Sequence, residues 1–187
     1  KLNISEYYMR PGFAFGGSCL PKDLRAVSSR AAALNVEATM LNSILRSNKQ
    51  QIEKAVELLA GYGKRRIGML GLSFKSDTDD LRESPLVELA ETLIGKGYQL
   101  SIYDKNVEYA RVHGANKDYI NAHIPHVSSL LNPDLAAVIE QSDIMVLGNR
   151  DRLFDEVLRS LPQDKQALDL VGFMASRSNG SSQGICW

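Results

Sequence analysis

Ile67-Gly68-Met69-Leu70-Gly71-Leu72-Ser73-Phe74 is the stretch whose reading decides the fold. Lys64-Arg65-Arg66 precede it and a polar loop, Lys75-Ser76-Asp77-Thr78-Asp79-Asp80-Leu81-Arg82-Glu83-Ser84-Pro85, follows it. A short, unbroken apolar run between such boundaries reads as a strand buried on both faces, which is how strands of a parallel sheet look. Ser84 and Pro85 then read as an N-cap and the first helical residue, and Leu86, Val87, Leu89, Ala90 and Leu93 carry a helix to Gly95 or Gly97. Tyr98 to Asp104 reads as a short strand ending in an acid. Strand, helix, strand is a βαβ unit of Rossmann type. Gly68-x-x-Gly71 departs from G-x-G-x-x-G, so the unit lacks the dinucleotide fingerprint. A mononucleotide at the carboxyl ends of the strands still fits, because open α/β sheets place ligands there.

Downstream, the alternation continues. Asn106 to Leu131 is the least regular region, with a brief helix expected over Val107–Val112 and all three histidines, His113, His123 and His126. Pro133 is read as the start of a helix through Ala137 and Ile139. Asp143–Gly148 and Ala167–Gly172 are read as strands, with a helix from about Leu153 to Leu161 between them. The tail from Ser176 to Gly184, rich in Ser, Asn and Gly, is expected to be mobile.

Upstream, Leu24, Val27, Ala31 and Leu34 recur at helical spacing and Asn35 marks a break. A second pattern, Met40, Leu41, Ile44, Leu45, Ile52, Ala55, Val56 and Leu59, predicts a helix of more than about 20 residues, roughly 30 Å long. Gly61 is its expected C′ residue, with Gly63 beyond. Its apolar stripe needs cover, from a partner subunit or from the domain that follows. Asn48, Lys49, Gln50 and Gln51 interrupt the stripe, so mid-helix burial is expected to be incomplete.

Ahead of these helices lies Gly12-Phe13-Ala14-Phe15-Gly16-Gly17-Ser18-Cys19-Leu20-Pro21-Lys22-Asp23. Small residues around Cys19 let backbone approach a ligand closely, and Pro21 suits the first turn of a helix. A thiol at a helix N-terminus beside the Lys22 cation is favoured as thiolate, the nucleophilic form. Asp23 stands one turn on, within reach as a base. The residues alone leave two readings of Cys19 open: a nucleophile, or a small buried side chain. Just before the loop, Tyr7, Tyr8 and Arg10 can line a sugar or phosphate site or simply lie solvated on the surface.

Composition removes several classes of function. Lys+Arg and Asp+Glu both number 22, with no long basic run, which argues against nucleic acid. No apolar stretch reaches membrane-span length. Two cysteines, Cys19 and Cys186, make no disulfide framework, and a cytoplasmic setting is the expectation. The histidines lack the paired spacing of a zinc site, so no metal is expected. The opening Lys1-Leu2-Asn3-Ile4-Ser5 reads as the middle of a longer chain, which makes this the expected C-terminal part of an enzyme.

The whole run Gly12–Asp23 resembles the active-site motif of the nucleotide-sugar dehydrogenases, and Gly71–Pro85 resembles their second signature. The lead-in Tyr7-Tyr8-Met9-Arg10-Pro11-Gly12-Phe13-Ala14-Phe15, with Leu20 rather than an aromatic after the cysteine, resembles the branch that oxidises GDP-mannose. The resemblance implies an α/β fold in two parts: residues 1–63, the cysteine loop with connecting and dimerisation helices, and 64–187, a Rossmann-like parallel-sheet domain that binds the sugar nucleotide. It implies oxidation of C6 from alcohol to carboxylate with two NAD, to supply a polysaccharide precursor of the alginate type, by a homodimer whose NAD-binding domain lies outside this sequence. Cys19 and Asp23 are implied as catalytic. Tyr7, Tyr8, Arg10, Phe13, Gly16 and Lys75 are implied at the substrate, and Lys22 and Arg82 near NAD. Without the resemblance, Lys75 reads as an exposed loop lysine and Arg82 as an ion-pair partner of Asp79 or Glu83. Three alternatives stay open: oxidation of UDP-glucose, a non-catalytic fragment that binds sugar nucleotides and dimerises, and a cysteine hydrolase or amidotransferase pairing Cys19 with a histidine.

Overall fold

The strand read from Ile67 onward is β1 (Arg66–Leu70), and it lies between β2 (Gln99–Tyr103) and β3 (Ile144–Leu147). Beyond β3 come β4 (Gln166–Asp169) and β5 (Ser182–Gly184), giving the order β2-β1-β3-β4-β5 with every pairing parallel. These relations come from a computed structural model, which describes residues 12–74, 78–107, 118, 120, 122, 124–172 and 182–185. The helices are α1 (Leu20–Ala33), α2 (Thr39–Gly61), α3 (Pro85–Gly95), α4 (Pro125–Ser128), α5 (Leu135–Gln141) and α6 (Arg152–Arg159). Among the described residues no helix is long and apolar enough to cross a membrane.

Alternation along the strands sorts the core into two layers, one on each face of the sheet. Ile67, Met69, Ile144 and Val146 pack with α2, α3 and α4, whereas Leu70, Met145 and Leu147 pack with Val138 of α5 and Phe154 and Val157 of α6. Both faces of β1 and β3 are thus covered, which is why neither carries a polar alternation. The expected α/β parallel sheet is present.

Register decides where a site can form. Leu70 pairs with both Tyr103 and Leu147, Leu147 with Asp169, and Asp169 with Gly184. All strands therefore end level, and their carboxyl ends make one crest. Strand order reverses between β1 and β3, the place where doubly wound sheets open a crevice. Asp104, directly after β2, organises that crest. Its Oδ2 accepts from Leu72 N (2.8 Å), Ser73 N (3.3 Å) and Ser73 Oγ (3.4 Å), and its Oδ1 from the backbone N–H groups of Asn106 and Val107. The carboxylate is 4% exposed. The acid that closes the second strand thus holds the first turn after β1.

The caps follow local chemistry. Ser84 accepts from Leu86 N and donates to Leu72 O (2.7 Å), tying the start of α3 to the crest. Gly63 (φ +67°) and Gly97 (φ +81°) take the left-handed positions after α2 and α3. Gly61 itself is the last residue of α2, two positions before the C′ role expected of it, and Tyr62 is the C-cap. Asp134 caps α5 by accepting from Ala136 N and Ala137 N, so the helix starts at Leu135 and Pro133 stays outside it. α4, in the segment read as irregular, begins at Pro125, which needs no N–H partner there. The larger departure is at the C-terminus. Ser182–Gly184 form a fifth parallel strand against Ala167–Asp169, where a mobile tail was expected. Polar, glycine-rich composition does not prevent pairing when the free edge of β4 supplies backbone partners. Residues 108–112 of the expected brief helix, His113, His123 and Cys186 lie outside the described residues.

α2 answers the question of its stripe in halves. Ile52, Ala55, Val56 and Leu59 are buried in the main core, so the sheet and α3 cover the C-terminal half. Met40, at the other end, is 74% exposed, and Leu20, Val27, Leu34 and Val36 of the α1 region are all more than half exposed.

Replacing Asp104 with Leu keeps the number and branching of side-chain heavy atoms but leaves its N–H donors unpaired. Orphaned buried donors cost about 1–3 kcal/mol each, so a loss of about 3 kcal/mol or more is expected in urea unfolding. A loss below about 1 kcal/mol would show that the turn after β1 holds without this carboxylate.

Candidate active site

Cys19 is the N-cap residue of α1, with Pro21 inside the first turn and no side chain capping the helix. Its thiol is free and exposed. The buried-cysteine alternative is therefore not what the fold adopts. Ser18 Oγ lies 3.7 Å from the sulfur. Asp23 N donates to Cys19 O (2.9 Å), closing the first helical turn and placing Asp23 one turn along the same helix. Lys22 Nζ stands 3.4 Å from Asp23 Oδ1, both side chains well exposed.

Two loops cross to put the thiol there. Gly17 N donates to Arg82 O (3.1 Å), joining the cysteine loop to the loop between β1 and α3. A Cβ on Gly16 would lie 2.2 Å from Glu83 O and 2.8 Å from Pro85 Cδ, and one on Gly17 would lie 3.0 Å from the Phe74 ring. Gly17 also has φ +90°, a conformation that a side chain resists. The two glycines are thus required by the approach of the second signature, not by a ligand alone. Glu83 itself sits at φ +50°, uncommon for a residue with a Cβ. Its carboxylate receives both arms of the Arg25 guanidinium from α1: Nη1 to Oε2 at 2.9 Å, and Nη2 to Oε1. This pairing holds the Glu83 carboxyl below the usual range, the hydrogen bonds from Arg25 outweighing partial burial.

A third contact comes from α2. Asn48 Oδ1 accepts from Phe15 N (2.8 Å) and Asn48 Nδ2 donates to Phe15 O (2.9 Å). Phe13 and Ala14 pack against the main core. A cleft of about 610 Å³ opens beside the loop, with Phe15, Arg25, Asn48 and Glu83 among its walls.

The sequence-predicted residues fall out as follows. Phe13, Gly16, Cys19, Lys22 and Asp23 share one loop and helix start, and Arg82 is brought beside them through its carbonyl. The Arg82 side chain pairs with Asp80, Nε to Oδ1 and Nη2 to Oδ2 both at 2.8 Å, rather than with Asp79 or Glu83. Tyr7, Tyr8, Arg10 and Lys75 lie outside the described residues. His126 pairs with Glu91 of α3 (2.9 Å) rather than with Cys19. Sequence reasoning missed Asn48, Phe74 and the Arg25–Glu83 pair. The pair carries no sequence signal, since nothing local links residues 58 positions apart.

Comparisons with known proteins converge on one group. The profile of the UDP-glucose/GDP-mannose dehydrogenase family, UDP binding domain, matches residues 68–174, and that of the same family's central domain matches residues 1–50. GDP-mannose 6-dehydrogenase of Pseudomonas aeruginosa is 62% identical over 187 residues, covering 100% of this chain and 43% of the relative. Among solved structures, a ternary complex of GDP-mannose dehydrogenase from Pseudomonas aeruginosa superposes with a TM-score of 0.95 at 61% identity, over 100% of this chain and 43% of that one. A UDP-glucose dehydrogenase from Pyrobaculum islandicum superposes with a TM-score of 0.79 at 28% identity, over 100% and 41%. The chain spans less than half the length of these relatives.

Two measurements test the crossing. Gly16→Ala forces a side chain into the Glu83 carbonyl, and overpacking of this kind costs about 1–3 kcal/mol; an unchanged thermal midpoint would refute the close approach. The Arg25–Glu83 pair sets an acid dependence. Because the folded-state pKa of Glu83 lies below its ordinary 4.5, its stabilisation is complete above that value and is lost as pH falls through the lowered one. Thermal midpoints taken from about pH 6 down to about pH 3 should fall, and less steeply in Glu83→Gln.

Proposed function

The chain belongs to the UDP-glucose/GDP-mannose dehydrogenase family, and from that premise we propose that it is the sugar-nucleotide half of an NAD-dependent enzyme oxidising C6 of GDP-mannose to the uronate. The observation that carries the reading is the exposed Cys19 thiol at the start of α1, held there by a crossing with the crest loop of a parallel sheet. Identity of 62% to a GDP-mannose 6-dehydrogenase, against 28% to a UDP-glucose enzyme, supports GDP-mannose over UDP-glucose. The pieces 1–63 and 64–187 are inferred to serve as cysteine loop with connecting helices and as sugar-nucleotide domain.

Cys19 is assigned the nucleophile. The first oxidation removes a hydride and a proton from the C6 alcohol and leaves an aldehyde; the Cys19 sulfur adds to it, a C–S bond forming as the carbonyl oxygen takes a proton, to give a thiohemiacetal. Oxidation of that adduct leaves a thioester on Cys19, which water opens to the carboxylate and the free thiol. Asp23, one helical turn away, is assigned the proton handling or the orientation of that water. NAD, when bound, supplies the oxidant for both oxidations. The fit of NAD to the described residues is partial: Gly68-x-x-Gly71 gives no dinucleotide cradle, and Lys22 and Arg82 offer charge toward a pyrophosphate while paired with Asp23 and Asp80. The rest of the NAD site is therefore assigned to residues outside this chain. Gly16 and Phe13 are assigned to the substrate loop, with Tyr7, Tyr8, Arg10 and Lys75 as further sugar-nucleotide contacts.

The exposed apolar residues Leu20, Val27, Leu34, Val36 and Met40 favour a covered surface there, and we assign it to the remainder of the enzyme or to a second subunit of a homodimer in the cytoplasm. The same surface favours a second reading, in which this chain alone binds the sugar nucleotide and associates without catalysis.

NADH formation with GDP-mannose against UDP-glucose, by the protein carrying this chain together with an NAD-binding domain, tests the assignment. GDP-mannose should be preferred. Cys19→Ser should bind it with little change in affinity while uronate formation falls by about 10³-fold or more. Wild-type turnover in that variant would remove the thiol from the mechanism.

A further inference from the structure

α2 carries Leu41, Leu45, Asn48, Ile52, Ala55 and Leu59 at alternating spacings of four and three, a single seam that is half-buried as far as Asn48 and fully buried from Ile52 on. One member of that seam is polar. A lone amide there is expensive unless both of its ends are satisfied, and Asn is among the poorer helix formers. Both ends of Asn48 are satisfied by one residue 33 positions away: the Phe15 N–H at 2.8 Å and the Phe15 C=O at 2.9 Å. The amide thus pairs with the backbone as a neighbouring strand would. It also has one sensible orientation, because a flipped amide would set donor against donor and acceptor against acceptor.

We propose that Asn48 is a positioning residue that fixes the loop bearing Cys19, resting on the assignment of Cys19 as nucleophile. Phe15 is the last residue before Gly16 and Gly17, whose backbones pass against Glu83 and Arg82. The loop is consequently pinned at two successive points, by α2 and then by the crest loop, before it reaches the sulfur. Two successive glycines ahead of the thiol, Gly16 and Gly17, leave the backbone that leads to it with wide conformational choice, so a loop of this composition needs external ties to hold one geometry. Phe15 and Asn48 both line the open cleft of about 610 Å³. Packing there is incomplete, and the polar clasp does what a packed side chain would do elsewhere. Ile52, one turn further along α2 and 4% exposed, belongs to the core and makes no such tie.

The test uses the NAD-dependent enzyme carrying this chain, with three variants and two readouts. Asn48→Ala should lower kcat for uronate formation by about tenfold or more, since small misplacements of a reacting group are costly, with KM for GDP-mannose moved by less than about threefold. Asn48→Asp keeps the acceptor for Phe15 N–H and loses the donor, and should fall between wild type and Asn48→Ala. Ile52→Ala should lower the thermal midpoint at least as much as Asn48→Ala does while leaving kcat within about twofold. Amide hydrogen exchange at Phe15, read in the 187-residue chain, should accelerate about tenfold in Asn48→Ala and not in Ile52→Ala. If Asn48→Ala and Ile52→Ala lose kcat in proportion to their midpoints, or if Phe15 exchange is unmoved, the proposal is overturned. Should Asn48→Ala not fold, Asn48→Asp carries the same comparison. Full turnover by Cys19→Ser in the same assay would remove the catalytic reading instead, and Phe15 exchange would still decide whether the clasp fixes the loop.

Discussion

Everything near Cys19 depends on a steric fact: Gly16 has no side chain where the Glu83 carbonyl passes. With 2.2 Å between that oxygen and a would-be Cβ, no other residue permits the two loops to cross at this depth. The crossing converts two sequence-distant signatures into one unit. Gly17 N reaches Arg82 O, the Phe74 ring covers the Gly17 α-carbon, and Arg25 closes over Glu83. Backbone approach comes first, and the ion pair then secures a Glu83 conformation that local energetics disfavour.

The sheet supplies the other side of the crossing. Level strand ends would be of little use with a floppy first turn, and Asp104 removes that freedom by gathering donors from both β1 and β2 ends. Ser84 adds a bond from α3 to Leu72 O. Order therefore passes from strand register, to the Asp104 carboxylate, to the Leu72–Phe74 turn, to Gly17, and so to the loop that carries the thiol. Each link is short range, and together they span residues from 16 to 107.

The fold was legible because its signals are local. An apolar run without alternation, a Ser-Pro helix start and an acid after a short strand each state their structure within a few residues, and β1, α3 and β2 form there. The C-terminal strand was not legible, since Ser182-Gln183-Gly184 has no strand character of its own and pairs because β4 leaves an edge free. In the candidate site, the cysteine loop announced itself by composition, whereas its supports did not. Arg25 and Glu83 look like ordinary surface charges until the loops cross. Asn48 was visible in principle, as the polar member of an otherwise apolar seam, but it stands beside Lys49, Gln50 and Gln51, and in that company it reads as a gap in the stripe.

The proposed thioester chemistry would constrain what must surround such a loop. An adduct on sulfur has to be shielded from water during oxidation and then opened to a single, oriented water. An exposed sulfur meets neither requirement alone. Leu20 follows the cysteine directly and is 57% exposed, and Val27 continues the same uncovered apolar surface along α1. On the proposed reading these two features share one cause. The chain carries the nucleophile on a loop tied to the crest, and the surface that would exclude water closes over it from outside, gripping the apolar residues that flank the thiol. Rigidity on this side is then the condition for a fit on the other, and backbone contacts and paired hydrogen bonds supply it in addition to the packing of Phe13, Ala14 and Phe74.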